Sequence, residues 1–263
     1  VWAWRKKRVG KIGRAADLVL CLFPFEPAFY EGHGVAARYV GHPMADQIDA
    51  DRDAAGAREK LGLEPAATTV AMLPGSRDSE VQRLARPMIE AARLLKREAS
   101  DLQFVAAMAN ESVDAIFRQA MQALDVDDIA LVPSQPRQVM AAADVVLCAS
   151  GTATLETMLV NRPLVMVYRI AASTYLLAKY SRLVKPQLFS LPNILAGEAL
   201  VPELIQDEAT PGRMAEEVQR WLNSPERRTT LQQRFDALHA QLRCGASEQA
   251  AAAVAGLLPH AEA

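Results

Sequence analysis

Short apolar runs alternate with longer amphipathic stretches along most of this chain. Residues 69–73, 102–107, 129–132, 144–149 and 164–168 are each almost wholly apolar. Helical spacing follows or precedes them and predicts helices over 54–61, 80–100, 113–124, 136–143, 152–160 and 171–183. The longest places Val81, Leu84, Met88, Ala91, Leu94 and Leu95 on one face. A strand that is apolar without alternation has both faces covered, and strands that alternate with helices make a parallel sheet. Right-handed crossovers then give a doubly wound, Rossmann-like α/β layer. Upstream, residues 18–23 and 38–41 read as two more strands around a short helix at 24–32. Residues 41–53 read as a connector carrying His42-Pro43 and several aspartates. The chain is helical again from Pro211, and its last segment, 248–258, is alanine-rich with one apolar side.

Composition narrows the classes. The 263 residues suit one large domain or two small ones, and 51% apolar content can bury a substantial core. A net charge of −2 gives no bulk attraction to nucleic acid. The basic cluster Arg5-Lys6-Lys7-Arg8, flanked by Trp2 and Trp4, would suit base stacking, but it is short. It reads better as a solvated helix start or a contact for a phosphate-bearing substrate, with Arg5 the candidate acceptor-side contact. No nucleic-acid partner is expected. Cys21, Cys148 and Cys244 are odd in number and far apart, which excludes a disulfide framework; two of the three sit in apolar stretches as buried free thiols would, and a reducing cytoplasm fits best. The four histidines have no metal spacing, so no metal is expected. No run approaches the roughly 20 apolar residues of a membrane helix. The opening Val1-Trp2-Ala3-Trp4 is neither a signal nor a transit peptide, and the expectation is a natural N-terminal part before Val1.

Ligands of open parallel sheets bind beyond the carboxyl ends of the strands. Two such ends carry candidate chemistry. In Leu73-Pro74-Gly75-Ser76-Arg77, Gly75 permits a tight turn and Arg77 can hold an anion; a glycine turn with a solvated arginine is the plain alternative. In Ser150-Gly151-Thr152, a buried strand stops and a helix starts. The free N–H groups and dipole of that helix favour a phosphate, while Ser150 and Thr152 can cap the helix or bond the ligand. Glu156 follows one turn later on the face of Thr152, about 6 Å along the helix, a fair reach from a pyrophosphate to a ribose diol. The plain alternative is a capped helix with an acid in its first turns. Asn193, after a strand-like segment, is a third candidate or a turn asparagine. No Gly-Lys-Ser/Thr and no G-x-G-x-x-G occurs, which leaves sugar nucleotides as the natural ligand class.

The candidate segments belong to a wider set. Val1-Trp2-Ala3-Trp4-Arg5, Pro24-Phe25-Glu26, Gly41-His42-Pro43-Met44-Ala45-Asp46, Leu73-Pro74-Gly75-Ser76-Arg77 with Glu80, and Ser150-Gly151-Thr152 with Leu155-Glu156 come first. Tyr168-Arg169, Ser190-Leu191-Pro192-Asn193-Ile194-Leu195, and Arg243-Cys244 with Glu248-Gln249-Ala250-Ala251 complete it. In this order the set resembles the bacterial lipid-A-disaccharide synthase family, over nearly the whole chain.

The resemblance implies a GT-B fold, with a Rossmann-like donor domain and the tail of an N-terminal Rossmann-like domain. Residues 1–47 would be that acceptor-side tail, 48–238 the UDP-sugar domain, and 239–263 a helix crossing back. It implies inverting transfer of 2,3-diacylglucosamine from UDP-2,3-diacylglucosamine to 2,3-diacylglucosamine-1-phosphate (lipid X), giving a β-1′,6-linked disaccharide and UDP, with no metal or other cofactor. Ser150, Gly151 and Thr152 would hold the pyrophosphate, Glu156 the ribose and Arg77 phosphate charge, with Asn193 also in the donor site. The general base would lie before Val1. The resemblance further implies a cytoplasmic enzyme on the inner face of the inner membrane and a homodimer by C-terminal swap. Two other readings stay open: another GT-B enzyme acting on a UDP-sugar, and a non-catalytic UDP-binding fragment.

Overall fold

A computed structural model describes residues 8–50, 53–170 and 188–258. The helix expected at 171–183 and the cluster containing Arg5 lie outside the described residues. Two compact units result, Val1–Asp49 with Asp236–Ala263, and Ala50–Phe235.

The smaller unit begins with α1 (Val9–Ile12), β1 (Val19–Cys21), α2 (Glu26–Glu31), β2 (Ala37–Tyr39) and α3 (Pro43–Gln47). β1 and β2 pair in parallel over a core of Val9, Cys21, Tyr30 and Val35. β1 is shorter than the apolar run at 18–23 because the Glu26 carboxylate accepts the N–H groups of Leu22 and Phe23, each at 3.0 Å. The expected connector at 41–53 contains α3. His42 Nδ1 accepts from Met44 N at 3.2 Å and Pro43 occupies the first turn, where its missing N–H costs nothing.

The larger unit holds α4 (Ala54–Lys60), β3 (Thr69–Leu73), α5 (Asp78–Glu98), β4 (Gln103–Met108), α6 (Glu111–Ala123) and β5 (Ile129–Pro133). It continues with α7 (Pro136–Ala142), β6 (Val145–Ala149), α8 (Thr152–Leu159), β7 (Leu164–Tyr168), α9 (Leu191–Ala196), β8 (Glu203–Ile205) and α10 (Pro211–Leu222). The six strands form one parallel sheet in the order β5-β4-β3-β6-β7-β8. Every residue of β3 and of β6 is buried, as their unbroken apolar runs require. α5 turns Val81, Leu84, Met88, Ala91 and Leu95 inward, and starts at Asp78 rather than at the expected Glu80. The edge strand β8 was not foreseen, being three residues long with a carboxylate first.

Two buried arginines fix the far end of α7. Arg58 Nε donates to Ala142 O at 2.8 Å, and Arg162 Nη2 donates to Ala141 O at 2.7 Å. Arg58 also pairs with Asp144 at 2.7 Å, whose carboxylate takes the N–H of Thr69 at the start of β3.

α11 (Pro225–Leu242) and α12 (Ala246–Ala255) end the described chain, and their residues from Asp236 on belong to the smaller unit. There, His239 Nε2 lies 2.9 Å from Ala45 O. The Asp46 carboxylate accepts from Gly245 N and Ala246 N at 3.0 and 2.6 Å, and so caps α12 from a remote part of the chain. Among the described residues no helix is long and apolar enough to cross a membrane.

Candidate functional site

The sheet order contains a reversal. From β3 the chain proceeds outward through β4 to β5, then returns to lay β6 against the other edge of β3. At such a switch point the connections leaving the two central strands diverge and open a crevice. A cleft of about 380 Å³ lies there, bounded by the ends of β3, β4 and β6 and the first turns of α7 and α8. Leu73, Met108 and Ala149 give it an apolar floor; Gly75, Ser76 and Arg77 form one rim and Ser150, Gly151 and Thr152 another.

The two rims are built alike. Gly75 has φ +120° and Gly151 has φ +132°, values that L side chains rarely adopt. At Gly75 a β-carbon would also come within 2.7 Å of the Glu80 carboxylate, so the glycine is required twice over. Glu80 then pairs with Arg77 at 2.6 Å, and the Arg77 side chain is 76% exposed. An ion pair so open to water stabilises little, so Arg77 can exchange Glu80 for a ligand anion at small cost. The rim is braced by Ser112 Oγ, which donates to Asp78 at 2.8 Å.

At the other rim Gly151 is the N-cap of α8, with no side-chain cap. Ser150 and Thr152 therefore do not cap the helix, one of the two roles open to them from the sequence. The first N–H groups of α8 begin at the cleft, with the positive end of the helix dipole. Thr154 closes the turn, with its N and Oγ1 both donating to Gly151 O at 3.1 and 2.8 Å. Glu156 lines the cleft one turn on, and its Oε2 lies 3.3 Å from Nε of Arg137. Beneath the site, Cys148 is no nucleophile: burial pushes its thiol up to about 12, with the Thr157 hydroxyl opposing that only in part.

Arg77, Ser150, Gly151, Thr152 and Glu156 thus come together in one cleft. Asn193 does not line it. It stands inside α9, not after a strand, and is buried. Its amide nitrogen donates to Val201 O and the Glu203 carboxylate, and its oxygen accepts from Leu200 N and Val201 N. Those four bonds consume the polar capacity of its side chain. Arg5 lies outside the described residues. Pro136, Arg137 and Met140 were not among the expected site residues, although Pro136 opens α7 three residues after the end of β5 and could have been flagged by the rule that found the other two rims.

A family model described as lipid-A-disaccharide synthetase matches residues 1–254. A curated lipid-A-disaccharide synthase of Xanthomonas campestris pv. campestris (strain 8004) is 50% identical over 264 residues, covering 100% of this chain and 60% of that protein. The chain therefore spans about three fifths of that relative's length. Among solved structures, a UDP-GlcNAc 2-epimerase from Neisseria meningitidis bound to UDP-GlcNAc superposes with a TM-score of 0.62. It is 10% identical and covers 93% of this chain and 62% of that one. Sucrose-phosphate synthase from Thermosynechococcus elongatus superposes at 0.59, with 17% identity over 96% of this chain and 61% of that one. The fold is accordingly of the GT-B class.

Proposed function

Because the chain belongs to the lipid-A-disaccharide synthetase family, we propose that it carries the donor-binding part of a glycosyltransferase of lipid A biosynthesis. The transfer is inverting: 2,3-diacylglucosamine moves from UDP-2,3-diacylglucosamine to lipid X, and UDP leaves. The observation that carries this reading is the gathering of Arg77, Ser150, Gly151, Thr152 and Glu156 around one cleft at the sheet's switch point. The N-terminus of α8 and Arg77 offset the charge that develops on the departing UDP, a demand on any site that releases a nucleoside diphosphate. Glu156 accepts from the ribose hydroxyls. Asn193 serves by holding α9 beside α8, where Leu191 N donates to Thr154 Oγ1 at 3.3 Å. The bound UDP-GlcNAc of the Neisseria epimerase supports the nucleotide class, since that protein shares the fold.

In this reading residues 1–47 are the tail of the acceptor-side domain, 48–238 the UDP-sugar domain and 239–263 a helix crossing back, which also swaps between protomers of a homodimer. The acylated substrates bring the enzyme to the inner-membrane surface from the cytoplasm, where the basic cluster near Arg5 attracts anionic lipid. Calorimetric titration of UDP tests the site. Glu156→Ala and Arg77→Ala should each weaken binding by roughly tenfold or more, as loss of a charge-assisted contact does; equal affinity in all three proteins overturns the assignment. Product analysis with diacylated substrates separates a transferase from a UDP-sugar epimerase.

A further inference from the structure

Arg137 is in the first turn of α7, where a cation opposes the helix dipole. Helix stability therefore does not account for an arginine at this position. Its side chain is half exposed, and its Nε meets Glu156 Oε2 at 3.3 Å. Glu156 itself is mostly buried and lines the cleft, whereas Arg137 is not among the lining residues. Among the described residues no donor reaches the second carboxylate oxygen, Oε1. The helix that carries Arg137 is anchored at its other end, where buried Arg58 and Arg162 hold the carbonyls of Ala142 and Ala141.

We propose that Arg137 is a positioning residue: it holds Glu156 by one carboxylate oxygen and leaves the other to accept from a vicinal diol on the ligand. This rests on reading the cleft as a nucleoside-diphosphate site. A free glutamate must give up rotamer freedom when it binds a diol, and that loss subtracts from affinity. A glutamate already held by a guanidinium on an anchored helix has lost that freedom before the ligand arrives. The pairing joins residues 19 apart on separate helices.

The test uses two ligands, UDP and 2′,3′-dideoxy-UDP, and four proteins besides the unsubstituted chain: R137A, R137K, E156A and the double variant R137A/E156A. Calorimetry should show R137A binding UDP about three- to tenfold more weakly, with its affinity for the dideoxy analogue unchanged. R137K should recover part of the loss, and in the E156A background R137A should add nothing. A general structural defect would weaken both ligands alike. The proposal falls if R137A binds UDP as the unsubstituted chain does, or if it loses both ligands equally, while the E156A substitution weakens UDP and leaves the dideoxy analogue unchanged. If UDP does not bind, or E156A prefers UDP over the dideoxy analogue as strongly as the unsubstituted chain does, the nucleotide reading of the cleft falls first and takes this proposal with it.

Discussion

Gly151 and Gly75 show how strain and crowding can be told apart at single positions. A β-carbon built on Gly151 meets nothing within 4 Å, so its requirement is conformational alone. Gly151→Ala should cost about 1–3 kcal/mol of stability. It should also weaken UDP, because an alanine relieves the strain by turning the helix's first N–H groups away from the cleft. Chemical denaturation and calorimetry on one variant check both. His42 makes a different prediction. Burial lowers its pKa below the ordinary 6.5, with Asp46 pulling the other way. The unfolded chain then binds the proton more readily than the folded one. Stability is therefore complete above pH 6.5 and declines as pH falls through the folded value. Thermal melts between about pH 7.5 and 5.5 should show a smaller drop for His42→Asn, which keeps a cap acceptor and does not titrate. Both glycines were legible in the sequence, since each stands where an apolar strand gives way to a helix. The burial of Asn193 was not, because its partners Val201 and Glu203 declare themselves only once β8 is in place.

Among the elements, the start of α9 is held by a carboxylate from the strand β8. The Glu203 side chain accepts from Phe189 N, Ser190 N, Ser190 Oγ and Asn193 Nδ2, at 2.7 to 3.1 Å. Glu203→Ala would strand several buried donors and should cost roughly 3 kcal/mol, with Glu203→Gln costing less. Urea denaturation midpoints measure the difference. The larger strands were readable because burial on both faces leaves no polar position, as all five residues of β3 and of β6 attest. β8 and α3 were not, for opposite reasons. β8 is brief and opens on the very carboxylate that organises α9. α3 opens on His42-Pro43, a pair that punctuates loops as readily as it starts helices. The Arg137–Glu156 pair joins α7 to α8 across an intervening strand, and no spacing within one helix announces it.

At the scale of the molecule, the end of α12 and the residues after it expose Val254, Leu257 and Leu258, each at least half accessible to water. Apolar side chains gathered at one helix end invite association. Sedimentation should show a concentration-dependent rise in mass that Leu257→Glu with Leu258→Glu diminishes; an unaltered profile removes this end from the contact. The cap that Asp46 places on α12 also bears on the order of events during synthesis. Its two sides are about two hundred positions apart, and the larger unit lies wholly between them. A ribosome therefore delivers every residue of the parallel sheet before it delivers the helix that Asp46 must reach. Of the two units, the one started first is the last to be finished, and during that interval its two short strands wait for that helix while the larger unit's residues are already made.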